Sequence, residues 1–477
     1  MKIIAVDIGT SSIKAACFNE LGNMSHLQRL RLDRAASPTA QDAEQWFSVS
    51  AQLLRQITEK VRSADAVVLT GNMHALLGID SDGRPVAPAV LWSDNSAQTE
   101  ADELNDRYGK KIVDSFGNKA IPVFTLPKIM RMKNQQPELY SQTKSFMQSK
   151  DFLAFRLTGC RVTEPTDASG VLGMDLASKQ WDSSFLRDLG LDPEKFPEII
   201  PSASICGTVT PGAARQTGLP QGTPVVIGSG DLASAAVGSG VDRNTVSLTL
   251  GTAGQLLAAG ACGNGVQLAE KLFVFAHADP ENELYLGSVP AGGFSCEWFS
   301  KLHNMSVPEF FDLAAKAPLS DALPVFMPYI LGRGAPFMDY TSAGAWFGLS
   351  AGHILPDLCR ATIFGVLCAL RQCTDLLEQL SGKREKLILQ ALACREKAVM
   401  ETAGALFLQR KFIPLNSEAS LSGAAIIGFT ALREYENIQA AAEKMVKKKE
   451  CCHAPDPTAQ RLYERFLRFA DVVAAEI

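Results

Sequence analysis

The sequence lacks the charge excess that marks proteins acting on nucleic acids or anionic membranes. Its 477 residues carry 46 Lys and Arg against 51 Asp and Glu, which gives a net charge of -5. A balanced, mildly acidic chain offers no electrostatic footprint to either polyanion. We therefore predict binding neither to nucleic acid nor to a membrane surface.

Long apolar runs, secretion signals and metal-site spacings are also missing. No stretch of about 20 uninterrupted apolar residues occurs, so no transmembrane span is expected. Met1–Ile4 lead directly into a predicted strand, without the apolar region and cleavage site of a signal peptide. The eleven cysteines are scattered, and the adjacent Cys451 and Cys452 lack the spaced partners of a zinc site. These features predict a cytoplasmic protein with reduced thiols.

The pattern of apolar residues alternates between strand and helix periodicity. Ile3–Val6 and Ala66–Thr70 are predicted to be buried strands, and Ala15–Asn19 is predicted to continue a hairpin. Ala43–Val61 has the spacing of an amphipathic helix. Such alternation, without short repeats, is typical of an α/β domain.

The pattern restarts near Gly222. Pro224–Ile227 is a predicted strand that leads into GSGDLASAAVGSG, and Val246–Leu250 is another that leads into GTAGQLL. Both echo the opening VDIGTSSIK of Val6–Lys14. This weak duplication suggests two related α/β domains that face one another.

The chain length agrees with that division, because 477 residues exceed one ordinary core. We place the domains at residues 1–225 and 226–477. The predicted helix Pro356–Leu380, the segment Leu387–Phe429 and a terminal helix Gln460–Ile477 would complete the second domain.

Two Gly/Thr turns, each leaving a strand, are the first chemical signal. Backbone N–H groups at such turns can cradle phosphate oxygens. In the first turn, Asp7 is suited to hold Mg²⁺ through water, because Mg²⁺ keeps much of its hydration shell, and Lys14 is suited to offset phosphate charge. One Gly-Thr turn is common in hairpins, whereas two in separate domains favour a phosphate site.

Asp231 follows Gly228-Ser229-Gly230 and precedes a helix of small residues, Leu232–Val237. Its structural interpretation is a helix cap or first-turn residue, worth about 1 kcal/mol as a cap. Its functional interpretation is a general base held on a rigid element in a cleft between domains. The local sequence leaves both interpretations open.

Two further stretches combine polar and apolar side chains in a way that suits a polyol. Met73 and His74 follow the strand of LTGNMHALLGID, at the strand end where open α/β sheets bind ligands. Trp92 and Asp94 lie in VLWSDNSA and pair an aromatic plane with a carboxylate. A structural histidine and an ordinary loop are the alternatives.

Taken in order, these stretches resemble the FGGY carbohydrate kinases of the hexokinase–actin superfamily, closest to the xylulose-kinase branch. Asp7–Lys14 is similar to the family's DxGTTSxK/R hairpin, and Gly71–His74 to its GQMH, with Asn72 in place of glutamine. GSGDLASAAVGSG resembles the stretch that carries the family's catalytic aspartate, and LTLGTAG its second phosphate loop. Pro165–Asp175 with Trp181, and Gly344–Ala361, match further family patterns. The resemblance covers nearly the whole chain.

The resemblance implies an α/β fold of two ribonuclease-H-like domains whose interdomain cleft takes a sugar, ATP and Mg²⁺. The sugar would be a ketopentose such as D-xylulose, and the protein a possible homodimer. By this resemblance Asp231 is the general base and Asp7 the metal ligand. The remaining implied contacts are those to ATP, from Thr10, Ser11, Lys14, Gly251, Thr252 and Ala393, and those to sugar, from Met73, His74, Trp92, Asp94 and Asp231.

Four departures from the family pattern leave alternatives open. Ala391-Leu392-Ala393 replaces a run of glycines against which adenosine lies, and Ala405 and Phe364 replace acidic residues. Ser96 replaces the arginine of W-x-D-x-R. We favour a working ketose kinase with altered nucleotide binding. The alternatives are an impaired, regulatory paralogue, or a kinase that uses another phosphoryl donor, polyol or sugar acid.

Overall fold

The structure is a computed structural model that describes residues 1–33, 37–61, 63–391, 393–451 and 454–476. Two large sheets, of six and seven strands, organise these residues. The strands of the first sheet, β1–β6, are Lys2–Ile8, Ser12–Asn19, Met24–Arg31, Ala66–Gly71, Ile205–Thr208 and Pro224–Gly230. The strands of the second sheet, β7–β13, are Thr245–Leu250, Gly254–Ala261, Phe273–Ala276, Asn282–Val289, Lys386–Gln390, Arg410–Pro414 and Lys448–Cys451.

Helices surround the sheets and fill the space between them. Helices α1–α16 are Ala43–Val61, Gln98–Phe116, Thr125–Gln135, Pro137–Gln142, Ser149–Thr158, Pro165–Val171, Ser183–Asp188, Pro211–Thr217, Asp231–Ser239, Gly293–Leu302, Val307–Ala314, Leu355–Ser381, Lys397–Leu406, Ala419–Ala431, Ile438–Met445 and Pro457–Glu476. Short 3₁₀ turns are Pro193–Lys195, Gly265–Gln267 and Ala393–Arg395. Two-stranded ladders are formed by Ala40–Gln41 with Ala89–Val90, Leu77–Ile79 with Ser145–Met147, Val162–Thr163 with Glu198–Ile199, Met174–Asp175 with Gln180–Trp181, and Val325–Met327 with Ala345–Phe347.

The two sheets share one pairing pattern. Their strand orders are β5-β6-β4-β1-β2-β3 and β13-β12-β11-β7-β8-β10-β9. In the first, β1 pairs antiparallel with β2 and parallel with β4. In the second, β7 pairs antiparallel with β8 and parallel with β11. The predicted duplication of two ribonuclease-H-like α/β units is therefore confirmed.

Local sequence explains the central elements well. β1 is buried from Ile3 to Ile8, as expected for a strand that is covered on both faces. Helix α1 has the predicted bounds, and its apolar stripe, which includes Trp46, Leu53 and Ile57, faces the core. The predicted helix within Pro356–Leu380 is α12, which extends by one residue at each end.

Helices α9 and α14 lie in unusually close contact because each presents a glycine to the other's backbone. A Cβ atom added to Gly238 of α9 would lie 2.0 Å from the Ala419 carbonyl oxygen. One added to Gly423 of α14 would lie 1.8 Å from the Ser234 carbonyl oxygen. Helix α14 also packs on the first sheet, where Ile3 and Val68 contact Gly428. These contacts hold α9 and α14 together and hold α14 against the first sheet.

The predicted domain boundary at 225/226 falls inside strand β6. Within that strand, Ser229 and Gly230 pair with Thr70 and Gly71 of β4, so they belong to the first sheet. A boundary at 225 would divide the strand, and we propose instead that the chain passes to the second sheet after Gly230. Among the described residues, no helix has both the length and the apolar content needed to cross a membrane.

Candidate active site

The first Gly/Thr turn projects from the end of the β1–β2 hairpin. Gly9 N–H donates to the Ser12 carbonyl at 3.1 Å, and Thr10 and Ser11 are exposed at the tip. Gln41 fixes the tip by donating to the Thr10 carbonyl at 3.1 Å. The turn thus presents hydroxyl groups on a well-anchored backbone, the arrangement expected for Thr10 and Ser11 as phosphate contacts.

Asp7 lies just below this turn in a position suited to a cation. It is 6 % exposed, and its Oδ1 atom makes no hydrogen bond within the described chain. Burial raises the pKa of Asp7 to about 6, against the opposing charge of Lys14, whose Nζ lies 4.0 Å from Oδ2. The free buried carboxylate oxygen fits the ligand chemistry of Mg²⁺. The described residues contain no group of three or more His, Cys, Asp or Glu side chains placed for a metal, so water and phosphate would complete the shell.

The second turn, Gly251–Ala253, follows β7 and is fastened to the start of α10. Gly293 N–H donates to the Gly251 carbonyl at 2.7 Å, and Phe294 N–H donates to the Thr252 carbonyl at 3.0 Å. A Cβ atom on Gly293 would lie 2.4 Å from that Gly251 oxygen, so only glycine allows the contact. Gly251 and Thr252 are exposed, as the predicted phosphate role requires.

Asp231 is the first residue of α9 and is not its cap. Gly230 is the N-cap residue and has no side chain to contribute, so the cap interpretation of Asp231 is wrong and the first-turn placement is correct. Burial, followed by the charge of Asp7, raises the pKa of Asp231 to about 7, whereas Lys14 acts in the opposite direction. A carboxylate with a pKa near neutrality, on a rigid element, has the properties of a general base.

A buried ionic network, which sequence reasoning missed, supports the start of α9. Gly230 N–H donates to Thr166 Oγ1 at 2.8 Å, and Thr166 donates onward to Glu164 at 2.6 Å. Glu164 lies 3.3 Å from Nζ of the fully buried Lys150, which also pairs with Asp167 at 3.0 Å. The PTDASG stretch, visible in the sequence, therefore holds the backbone immediately before Asp231.

Met73 lies beside Gly230, the residue that precedes Asp231, and His74 follows Met73 in the chain. A Cβ atom on Gly230 would lie 2.6 Å from Met73 Cγ, so the absence of a side chain there makes room for Met73. The His74 ring packs against Phe124 and Phe275, with centroids at 5.2 and 5.7 Å. Because β9 contributes Phe275, the second sheet helps to build the predicted sugar site.

The tautomer of His74 follows from its surroundings. Burial lowers the pKa of His74 to about 4, so the ring is neutral at pH 7. Nδ1 lies 2.8 Å from the Gly170 carbonyl, which can only accept, so Nδ1 carries the proton. Nε2 is then an acceptor, suited to a sugar hydroxyl.

The Trp92–Asp94 loop connects the predicted sugar site to the first phosphate turn. Trp92 is 46 % exposed, and its Nε1 donates to Thr10 Oγ1 at 3.1 Å. Asp94 accepts from Ser96 N–H at 2.9 Å.

Sequence reasoning missed Lys128, which lies in an apolar stretch of α3. Its Nζ donates to the carbonyls of His74, Leu91 and Val123 at 2.9–3.0 Å.

A cavity of about 620 Å³ extends from the second turn toward Ala391 and Ala393, which stand where the family has glycines. Gly251, Thr252, Ala391 and Ala393 line it, and the role of Ala393 as a cofactor contact stays a prediction; Leu392 lies outside the described residues. Ala391 has a φ of 68°, a left-handed conformation that favours glycine. The expected conflict between alanine and a glycine-like backbone is thus present at Ala391.

The other residues that differ from the family pattern are either packed in the core or hydrogen-bonded to nearby segments. Phe364 is buried in α12, and Ala405 of α13 packs against the same core. Asn72 is 2 % exposed and donates to the Ile8 carbonyl at 3.0 Å, so it braces the first hairpin. Ser96 accepts from Arg131 Nε at its carbonyl, at 3.0 Å, which brings another arginine to this loop.

Comparison with known families decides the ancestry. Residues 2–238 match the N-terminal domain of the FGGY family of carbohydrate kinases, and residues 275–432 match its C-terminal domain. The chain belongs to the FGGY family of carbohydrate kinases. The resemblance inferred from the motifs is therefore confirmed, and the family implies that ATP is used.

The relatives of this chain are named for different substrates. The chain is 29 % identical to a xylulose kinase of Lactococcus lactis, over 97 % of this chain and 94 % of the relative. It is 30 % identical to the Escherichia coli xylulose kinase over 81 % of each. A Bacillus subtilis gluconokinase is 25 % identical over 92 % of this chain and 90 % of its own. The solved xylulose kinase from Rhodospirillum rubrum, 23 % identical, superposes with a TM-score of 0.91 over 100 % of this chain and 98 % of its own.

Proposed function

We propose that this FGGY family member transfers the γ-phosphoryl group of ATP to a hydroxyl of a ketopentose such as D-xylulose. The observation that carries the proposal is the grouping of Asp231, with its pKa raised to about 7, beside Asp7 and Lys14 below the first phosphate turn. The relatives named xylulose kinase, matched over most of the chain, support the choice of sugar.

The mechanism follows from the roles that each group can take. Asp231 removes the proton from the sugar hydroxyl, whose oxygen attacks the γ-phosphorus as the bond to ADP breaks. Met73 packs on the carbon skeleton, and the unprotonated Nε2 of His74 accepts a hydroxyl hydrogen bond. Lys14 and the N–H groups of the two turns hold the phosphates, and Mg²⁺ beside Asp7 would supply charge neutralisation. Because phosphoryl transfer depends mainly on positioning and electrostatics, the two turns should matter as much as the base.

A sugar acid is the second candidate. Arg131 reaches the loop of Asp94 and Ser96, and its guanidinium is suited to a carboxylate. The gluconokinase relative carries the same substrate class in its name. Arg131→Met should therefore leave turnover of a neutral ketose intact and abolish that of a sugar acid, if a sugar acid is the substrate.

The test is an ADP-release assay with Mg-ATP and a panel of pentuloses, hexuloses, polyols and sugar acids. Release should be greatest with a ketopentose and absent from Asp231→Asn. Greatest release with a sugar acid would favour the second candidate. No release with any sugar, despite ATP binding by calorimetry, would favour the impaired paralogue. Light scattering of the same samples would test the predicted homodimer.

A further inference from the structure

Lys14 already has a partner from the C-terminal half of the chain. Its Nζ donates to Glu418 Oε2 at 2.7 Å, whereas Asp7 Oδ2 on its own hairpin lies 4.0 Å away. The two residues are 404 positions apart in the chain, and each side chain is partly buried, with exposures of 24 % for Lys14 and 15 % for Glu418. The ammonium expected at the phosphates is therefore engaged by a carboxylate from the other half of the chain.

The position of Glu418 is set by well-packed structure. It immediately precedes α14, which the Gly238 and Gly423 contacts hold against α9. Its own N–H donates to Asn416 Oδ1 at 3.0 Å. Although Glu418 is the N-cap residue, its side chain makes no capping hydrogen bond. Its carboxylate accepts from Lys14 instead. Asn416 and Ser417 line the nucleotide cavity, so Glu418 lies at the edge of that cavity.

We propose that Glu418 is a positioning residue that holds the Lys14 ammonium and gives it up to phosphate oxygens when a polyphosphate binds. The inference rests on the proposed function in one respect, namely that Lys14 faces the phosphates. A polyphosphate at the first turn offers Lys14 several anionic oxygens in place of one carboxylate. Arg29 Nη2 lies 3.6 Å from Glu418 Oε1, so the carboxylate keeps a cation nearby after the exchange.

The proposal makes Glu418 and phosphate competitors for one cation. Removing the Glu418 charge should then tighten phosphate binding, and only when Lys14 is present. The contact is partly exposed, so we expect an affinity gain of about twofold to fivefold, as for a pair worth up to roughly 1 kcal/mol.

The experiment measures tripolyphosphate binding by calorimetry, without sugar or nucleotide base. The wild type is compared with Glu418→Gln, Lys14→Met and the double variant. Tightening in Glu418→Gln that disappears in the Lys14→Met background supports the proposal. Equal tightening in both backgrounds would show a general charge effect, and weaker binding by Glu418→Gln would show a structural role; either result overturns it. Failure of the wild type to bind tripolyphosphate also overturns it.

Two further variants sharpen the result. Glu396→Gln removes a carboxylate from the same cavity, but no contact joins Glu396 to Lys14 in the described chain, so its effect should be the same with and without Lys14→Met. Glu418→Asp keeps the charge on a shorter side chain and should give a smaller gain than Glu418→Gln, which protects the test if the glutamine variant folds poorly. Because no sugar is used, the result is independent of which substrate the ADP-release assay identifies.

Discussion

The two hairpin turns share a backbone arrangement and differ in charge. In the first hairpin, Asp7 pairs across the strands with Lys14, one step below the turn. The same step of the second hairpin pairs Thr249 with Gln255. The parallel neighbour strand adds Thr70 in the first sheet and Gln390 in the second. One turn therefore carries a carboxylate and an ammonium, and its counterpart is neutral.

This difference indicates what the fold supplies and what individual side chains add. Backbone N–H groups at a turn come with the repeated hairpin, and both sheets have them. In the first hairpin a carboxylate and an ammonium face each other directly beneath the turn, and the charge of this Asp7 also acts on Asp231, the proposed base. The second turn opens instead into the 620 Å³ cavity. We infer that the first turn serves the chemical step and the second turn serves nucleotide binding.

The largest effect should come from Asp231, the proposed base, whose pKa is raised in part by Asp7 of the first hairpin. Asp231→Asn keeps the shape but cannot accept a proton, so kcat should fall by about 10³-fold or more, at the upper part of the range for a general base. Sugar affinity, measured by calorimetry, should change less than about twofold, since an amide still hydrogen-bonds a hydroxyl. Asp188→Asn, at an exposed position on α7, is the control. Wild-type turnover by Asp231→Asn would contradict the assignment.

Matched substitutions at the cross-strand pairs test the asymmetry directly. Asp7→Asn should lower kcat by roughly 10²-fold to 10³-fold, as for loss of one strong electrostatic group, and raise the Mg²⁺ concentration needed for half-maximal rate. Thr249→Val, at the equivalent position, should change kcat by less than about threefold. Rates measured over a Mg²⁺ titration check both. Equal losses in the two variants would mean that the charge difference does not divide the roles.

A smaller effect is expected in the pH dependence of kcat/KM, which should differ between variants of the first and the second hairpin. A base must be unprotonated, so kcat/KM for sugar should fall as the pH drops through about 7, the pKa to which burial and Asp7 raise Asp231. Asp7→Asn removes the second of these causes and should shift that limb to lower pH. Thr249→Val should leave the limb in place. A limb that stays fixed in Asp7→Asn would show that burial alone sets the pKa.

Much of this arrangement is visible in the sequence because it depends on local patterns. Strand and helix periodicity predicts the two hairpins and α1, and small residues around Asp231 predict its helix. Glycine turns after strands predict the exposed tips of the two hairpins. These features need only neighbours along the chain, which is why the sequence reveals them.

The missed features depend on contacts between distant segments. Glu418 meets Lys14 over 404 residues, and nothing near either residue signals the pairing. Lys128 supports three carbonyls from separate loops, and Thr166 holds Gly230 from 64 residues away. The periodicity of apolar residues does not predict such contacts, because tertiary packing alone brings the partners together.

The smallest effect is expected at Ala391, in the segment where the family has glycines. Both the sequence and the structure indicate that an alanine is unfavourable there. Ala391 has a left-handed backbone, φ 68°, which costs an alanine roughly 1–2 kcal/mol. Ala391→Gly relieves that strain but gives the unfolded chain more freedom, so a net gain of about 0.5 kcal/mol in the free energy of unfolding is expected. Removing the Cβ atom from the cavity wall should also lower KM for ATP, by about twofold to fivefold.

Ala393→Gly is the matched control, because Ala393 begins the 3₁₀ turn Ala393–Arg395 and carries no left-handed strain. Glycine there should lower the free energy of unfolding by about 0.5–1 kcal/mol through added chain entropy. Urea unfolding and ATP titrations of both variants provide the two readouts. If Ala391→Gly were destabilised as much as Ala393→Gly, strain at position 391 would not exist. If it were stabilised without a change in KM, the adenine end of ATP would lie elsewhere in the cavity, against the apolar wall of Val307 and Phe311.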